Sequence, residues 1–399
     1  MLFPLRNLRR FATGHRATLL MFLVGFTYGL LAVYRRHALN DGREEDGSPP
    51  QQEDSDDEDE IIVGEERPWA KRTSKLDTQS GDDSMPKVIY TSSSEFGSDN
   101  LGGCPEWQCE VTGDATRASH ADAIVLNMKE DYGFTRSADQ YLVYFSLESP
   151  VHREITEPHK GYYNLTMTYR RDSGVPSPYG YATIRKKPPK QLELTLDLSK
   201  KTKPAAWLVS NCDTHSRREL LVARLREHMT VDVYGGCGNN TCRKGSAACD
   251  QLLETNYRFY LAFENSVCHE YVTEKFWSAF HRGMVPIVLK REIVERYAPP
   301  KSFIAADDFR SVAQLAQRLL LLTANDTAYL QYFDWRRTHR VVYLDGRKHD
   351  EREKPWGFCR LCQLLWESPR PKRVVGDISR FSSDKECDGD FLERTFQDV

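Results

Sequence analysis

The densest chemistry lies in Tyr260-Leu-Ala-Phe-Glu-Asn-Ser-Val-Cys-His-Glu-Tyr-Val-Thr-Glu-Lys275-Phe-Trp, continuing through His281-Arg-Gly-Met-Val-Pro-Ile-Val288. The pattern predicts strand, loop, helix, turn, strand. Thr273 suits the helix N-cap, Glu274 falls in the electropositive first turn, and Gly283 suits the stop. Phe276, Trp277 and Phe280 give the helix one apolar face. A helix N-terminus carrying a lysine, reached from the carboxyl end of a strand, can hold a diphosphate. Taken alone, the same residues also describe a surface helix with an adjacent Glu–Lys pair. A divalent-ion site is not expected. The only Asp-x-Asp of the folded part is Asp388-Gly-Asp390, far along the chain in an apparent tail. Chemistry that needs no cofactor is therefore expected, with stimulation by Mn²⁺ confined to what a bound nucleotide carries.

The elements that would position these residues alternate between strands and helices. Val88-Ile89-Tyr90, Ala123–Leu126 and Tyr141–Ser146 are short apolar runs of the kind buried in parallel sheets. A break rich in lysine and proline, Arg185-Lys186-Lys187-Pro188-Pro189-Lys190, precedes a second series. In it Ala205–Ser210, Thr230–Tyr234, Phe259–Phe263 and Val285–Leu289 read as strands, and Arg217–His228 as a helix with Leu220, Leu221 and Leu225 on one side. Two such series predict two α/β domains, 87–204 and 205–345, with a ligand cleft between them. Residues 346–399 then form a C-terminal extension.

Of the 399 residues, 40% are hydrophobic and 28% charged, which excludes collagenous, wholly disordered and polytopic membrane chains. Net charge is −3, yet residues 41–66 alone carry −12, leaving about +9 elsewhere. That suits an anionic small ligand better than a nucleic acid. Ala17–Tyr34 is an uncharged apolar run preceded by Arg6, Arg9, Arg10 and Arg16. At ~1.5 Å per residue it just spans a bilayer core. Residues 1–16 are thus expected in the cytosol, 17–34 as an uncleaved signal anchor, and 35–86 as a disordered acidic stem. The ten cysteines and the sequons at Asn164, Asn239 and Asn325 agree with a lumenal head. Cys104 and Cys109 should meet Cys359 and Cys362, since long-range bridges remove more chain entropy than tight local loops. Which cysteine meets which is left open, and local pairing of each set is the competing arrangement.

At Phe263-Glu264-Asn265-Ser266 and Tyr271-Val272-Thr273-Glu274-Lys275-Phe276-Trp277 the chain resembles the α-1,3-fucosyltransferases of glycosyltransferase family 10. Further blocks agree in order: Phe145-Ser-Leu-Glu148-Ser-Pro150, Asn164-Leu-Thr-Met-Thr-Tyr169-Arg170-Arg171-Asp172-Ser173 and Pro178-Tyr179-Gly180. Trp207-Leu-Val-Ser-Asn211, Pro299-Pro300-Lys-Ser-Phe303-Ile304 and Tyr332-Phe333-x-Trp335-Arg336 follow, and the C-terminal CxxC recurs in the family too. The likeness covers about residues 87–365. Leu147 departs from the methionine or asparagine that many members place before Glu-Ser-Pro.

The resemblance implies a GT-B-like α/β fold of two facing Rossmann-like domains, the first on the acceptor side and the second binding GDP-fucose. It implies a single-pass type II Golgi membrane protein with a lumenal head. The expected reaction is inverting transfer of L-fucose from GDP-β-L-fucose to a GlcNAc, LacNAc or GalNAc-GlcNAc acceptor on glycoproteins or glycolipids. Glu148 matches the family's base. Lys275 and Arg218 match its cationic pair, although Arg217 is adjacent and a one-residue slip would exchange the two. Asn265, Tyr271, Glu274 and Tyr260 match donor-contacting positions, and Tyr260 equally suits a core strand. Residues 169–181 are expected to choose the acceptor. Two other readings are a protein O-fucosyltransferase and an inactive relative that binds GDP-fucose or glycans.

Overall fold

A computed structural model describes residues 61–64, 85–126, 136–152, 160–190, 196–243, 245–367, 370 and 373–399. The expected tail and anchor at 1–34, and most of the expected stem, lie outside the described residues. Among the described residues no helix is long and apolar enough to cross a membrane. One correction falls within the stem. Ile61–Ile62 forms strand β1, so this part of 35–86 is ordered against the head.

Lys87–Thr91 (β2), Cys109–Thr112 (β3), Ala123–Leu126 (β4), Tyr141–Ser146 (β5), Leu165–Thr168 (β6) and Val175–Pro176 (β7) build a six-stranded parallel sheet in the order β3-β2-β4-β5-β6-β7. Successive side chains of a strand point to opposite faces. Ile89, Val125 and Val143 therefore enter one core. Tyr90, Ile124, Leu142 and Tyr144 enter another, with Tyr163 and Ile378.

The chain next forms Gly180–Ile184 (β8), Lys203–Leu208 (β9), helix Arg218–His228 (α1), Val231–Tyr234 (β10), helix Ala247–Asn256 (α2), Tyr257–Leu261 (β11), helix Glu274–His281 (α3), Val285–Val288 (β12) and Ile304–Ala305 (β13). Helix Val312–Thr323 (α4), strand His339–Tyr343 (β14) and helix Gly357–Trp366 (α5) follow. A second parallel sheet runs β10-β9-β11-β12-β13. Trp207, Phe259 and Leu261 pack with Leu221 and Leu225 of α1 and Leu315 and Leu319 of α4. On the other face Ala206, Tyr257 and Tyr260 meet Leu253 of α2 and Phe276, Trp277 and Phe280 of α3. A three-stranded antiparallel sheet, β1-β8-β14, ties the segment after the first sheet to the segment after the second. Gly180 permits this join. A Cβ there would lie 2.6 Å from the Trp277 indole and 2.7 Å from the Val342 carbonyl.

Residues 346–399 do not behave as one extension. The face of α5 that carries Phe358, Leu361 and Leu364 covers the first sheet. The chain then returns to the second, where Phe391, Leu392 and Phe396 enter its core. All ten cysteines pair. Cys104–Cys359 and Cys109–Cys362 join the start of the head to α5, Cys268–Cys387 fastens the returning tail, and Cys212–Cys237 and Cys242–Cys249 are local. The first two bridges are parallel, so either alone already closes the long loop. Replacing one pair by alanines should then cost about 3 kcal/mol, and replacing both about 8 kcal/mol, because only the double loss reopens a loop of some 250 residues. Denaturant unfolding of the three variants tests this, and additive costs would refute it.

The sequons divide. Asn239 and Asn325 are exposed. Asn164 is half-buried, and its Nδ2 donates to the Arg373 carbonyl (2.9 Å) while its Oδ1 accepts from the Leu142 amide (2.8 Å). These bonds hold the residue before β6 to the returning chain.

Candidate active site

The strands of the six-stranded and five-stranded sheets are parallel, so within each of these two sheets the carboxyl ends lie along one edge. The loops after β5 and β11 meet there: Ser266 Oγ donates to Ser149 Oγ at 2.7 Å, and both are fully buried. Glu148 lies beside that junction, two residues beyond β5. Its carboxylate accepts from the Tyr271 hydroxyl at 3.1 Å. Tyr271 is buried and packs edge-on against Tyr169 with ring centroids 5.0 Å apart. Burial, together with the Glu264, Tyr179 and Glu148 oxygens, pushes the Tyr271 phenol well above its ordinary value, so it stays a donor. Tyr179 donates to the Leu147 carbonyl (2.9 Å), fixing the backbone from which Glu148 projects. That contact uses only the backbone of Leu147.

Across the junction Thr273 caps α3, and its hydroxyl receives the Lys275 amide. Glu264, three residues beyond β11, accepts from the Thr273 amide and hydroxyl at 2.8 Å. Its other oxygen receives the Lys275 ammonium at 2.9 Å. Glu274 lies 3.5 Å from the same ammonium. Burial alone would lower the Lys275 pKa, but the Glu264 and Glu274 carboxylates outweigh it and hold the ammonium above its ordinary value. The lysine keeps 16% of its side chain exposed, enough to present a charged edge to a ligand. The helix stops where glycine allows it, with Gly283 at φ +56°.

The choice between the two arginines follows from the backbone. Arg217 sits at φ +52° and turns outward to pair with Glu393. Arg218 turns inward over the Trp207 ring and donates to the carbonyls of Phe263 (2.6 Å) and Asn211 (3.2 Å). Among the described residues its Nε meets no acceptor. Burial pushes its pKa below the ordinary arginine value, opposed by Glu264 and Glu219. Asn265 follows Glu264 in the same loop and is partly exposed, and its carbonyl receives the Ser216 amide at 2.8 Å.

Tyr260 is a correction. It lies within β11 at 3% exposure, among the α2 and α3 side chains, with the Arg282 guanidinium 5.4 Å from its ring centre. It is a core residue, because the alternation of β11 turns it toward α3. Asp388 is a second correction. The tail folds back, its amide donates to the Val267 carbonyl (2.7 Å), and its carboxylate meets Lys290 and Arg394. Among the described residues no group of three or more His, Cys, Asp or Glu side chains gathers as a metal site. Glu264 is the residue that sequence reasoning left without a role. Its place in the Phe-Glu-Asn-Ser block, one turn of loop before a capped helix with a lysine at its second position, was the available signal.

The loops at the carboxyl ends of the two parallel sheets thus carry a phenol-held carboxylate, Glu148, and two cationic side chains, Lys275 and Arg218. Comparison with known proteins gives the family. Residues 84–180 match the family model "Fucosyltransferase, N-terminal", and residues 198–381 match "Glycosyltransferase family 10 (fucosyltransferase) C-term". The chain is 44% identical over 293 residues to alpha-(1,3)-fucosyltransferase fut-1 of Caenorhabditis elegans, covering 72% of this chain and 67% of the relative. It is 39% identical over 291 residues to alpha-(1,3)-fucosyltransferase C of Drosophila melanogaster, covering 66% and 65%. The match thus spans about two thirds of these relatives' length. A crystal structure of an alpha1,3-fucosyltransferase with GDP-fucose superposes with a TM-score of 0.50 at 15% identity, covering 74% of this chain and 95% of that one, which is a likeness of fold. The chain belongs to glycosyltransferase family 10.

Proposed function

We propose that the chain is an inverting α-1,3-fucosyltransferase that moves L-fucose from GDP-β-L-fucose to a GlcNAc hydroxyl of a glycan. The observation that carries this reading is that the loops after β5 and β11, joined at Ser149 and Ser266, bear Glu148, held by Tyr271, and the Lys275–Glu264–Thr273 cluster. Inversion needs one base that takes the acceptor proton while the oxocarbenium-like carbon is attacked from the face opposite GDP. Glu148 fills that role. As the C–O bond to GDP breaks, charge grows on the diphosphate, where Lys275, Arg218 and the α3 amides stabilise it. Asn265, Tyr271 and Glu274 contact the donor. The sheets are read as the two Rossmann-like domains of a GT-B-like fold, 87–204 for the acceptor and 205–345 for the donor, behind a type II Golgi signal anchor at 17–34.

A glycan acceptor is favoured by a pocket of about 120 Å³ beside Leu147, lined by Phe96, Phe145, Tyr179, Trp356 and Phe358 with the His349–Glu353 pair at its polar end. Aromatic rims with a few polar groups suit the faces and hydroxyls of a saccharide. The test is incubation of the purified protein with GDP-fucose, LacNAc, LacdiNAc, a chitobiose-core glycopeptide and unglycosylated protein acceptors, with NMR assignment of the product. An α-linked fucose on O3 of GlcNAc is expected. Transfer only to Ser/Thr side chains, or none, would overturn the reading. Since cationic side chains meet the diphosphate, most activity should survive EDTA, and its abolition would assign that charge to a metal.

A further inference from the structure

Glu270, in the loop after β11, holds a backbone conformation that its residue type disfavours. It lies at φ +57°, in the left-handed region that glycine fills at no steric cost. A glutamate persists there only where its surroundings over-determine it. Here they do. One carboxylate oxygen accepts from the Arg171 amide at 2.7 Å, and the other accepts from the Tyr297 phenol. The side chain is 9% exposed. Burial and the Glu270 carboxylate push the Tyr297 phenol above its ordinary value, so it remains a donor. The Arg171 guanidinium lies over the Tyr297 and Trp356 rings, 4.5 and 5.1 Å from their centres, and donates to the Gly180 carbonyl at 3.1 Å.

These partners come from separate parts of the chain. Arg171 follows β6 of the first sheet, Tyr297 belongs to the segment between β12 and β13 of the second, and Glu270 immediately precedes Tyr271. Ahead of Glu270 the loop is fastened to the returning tail by Cys268–Cys387 and by the His269 amide, which donates to the Glu386 carbonyl at 3.0 Å. Beyond it the Val272 amide donates to the Glu270 carbonyl at 2.9 Å, turning the chain into the Thr273 cap. Tyr271 thus leaves the backbone between two fixed points, the Glu270 carboxylate and the capped helix. From there its hydroxyl reaches Glu148 at 3.1 Å. A phenol sits at the far end of its side chain, so a modest rotation of the loop takes the hydroxyl out of hydrogen-bond range.

We infer that Glu270 is a positioning residue for the transfer reaction: by bridging Arg171, beside the first sheet, to Tyr297, beside the second, it sets Tyr271 where the phenol holds Glu148. The inference rests on the reading of Glu148 as the base. The site needs the carboxylate and not merely the turn, because glycine would form the turn without linking the two loops.

The test is a double-mutant cycle on the full-length chain in detergent, reading kcat with the preferred glycan acceptor and GDP affinity by calorimetry. Glu270→Gln can accept from one donor but sets its NH2 against the other. Its kcat should fall about tenfold while GDP affinity stays within about twofold of wild type. Glu270→Gly, which suits the left-handed backbone, should lose about as much. In the Tyr271→Phe background, Glu270→Gln should cost less than about twofold more, because the contact it serves is already gone. Unchanged kcat in Glu270→Gln, an undiminished loss in the Tyr271→Phe background, a wild-type rate in Glu270→Gly, or GDP affinity falling in step with kcat would each overturn the inference. Should Glu270→Gln not fold, Tyr297→Phe keeps the carboxylate and runs the same cycle. A loss of about threefold that disappears in the Tyr271→Phe background is then expected, and no loss, or the same loss in both backgrounds, overturns it. If Glu148 is not the base, Glu148→Gln itself transfers at the wild-type rate, so the failure of that reading and of this inference show in different variants.

Discussion

Glu148→Gln should fold, keep GDP affinity and lose transfer by roughly 10²-fold or more. The amide preserves size and still accepts from the Tyr271 hydroxyl, but it cannot take the acceptor proton. The loss should appear in kcat, because the side chain projects from the loop after β5 and bonds to Tyr271 rather than to the cluster around Lys275. Tyr271→Phe is the companion. It leaves the carboxylate but removes the phenol that orients it, so a smaller loss, about tenfold, is expected. Transfer near the wild-type rate by Glu148→Gln, with product confirmed by NMR, would take Glu148 out of the mechanism.

Lys275→Ala should weaken GDP binding by roughly 10–100-fold and slow transfer together, since a charge-assisted contact to phosphate is lost in both ground and transition states. The structure adds a second consequence. Glu264 is buried and would be left with Thr273 alone, so the protein should also lose about 3 kcal/mol of stability. The two effects separate in Lys275→Ala/Glu264→Gln. Neutralising the orphaned carboxylate should recover most of the stability and none of the GDP affinity. Calorimetry with GDP and denaturant unfolding measure the two quantities independently. Unchanged GDP affinity in Lys275→Ala would reduce the lysine to a structural partner of Glu264.

Much of this architecture is legible locally. The α3 cap at Thr273, its apolar face of Phe276, Trp277 and Phe280, and its stop at Gly283 follow from rules that act within one or two turns. The apolar runs that become β4, β5 and β12 are fully buried strands, as continuous hydrophobic runs in parallel sheets should be. The Phe-Glu-Asn-Ser and Thr-Glu-Lys blocks carry the family likeness, and so do Glu148 and the arginine pair.

What the tertiary structure decided depends on partners remote in sequence. Arg217 and Arg218 are equivalent as letters. Only a left-handed backbone at Arg217 sends one outward to Glu393 and the other inward to the Phe263 carbonyl. Tyr260 alternates into the core because β11 lies between β9 and β12, and no local pattern states which face carries the cleft. Asn164 is a sequon by spelling, and only the fold sets its amide against the Arg373 carbonyl, 209 residues away. The cysteines could have closed short loops, but the apolar face of α5 had to cover the first sheet, which placed Cys359 against Cys104 and Cys362 against Cys109. Ile61 and Ile62 are too short a run to announce a strand. They become one because β8 presents a free edge and its register sets them beside Ile184 and Thr183. Residue type and short spacing thus determined the helix, the strands and the chemistry on offer. Burial and long-range pairing, whose free energy is shared among residues far apart in the chain, chose which side chains deliver it.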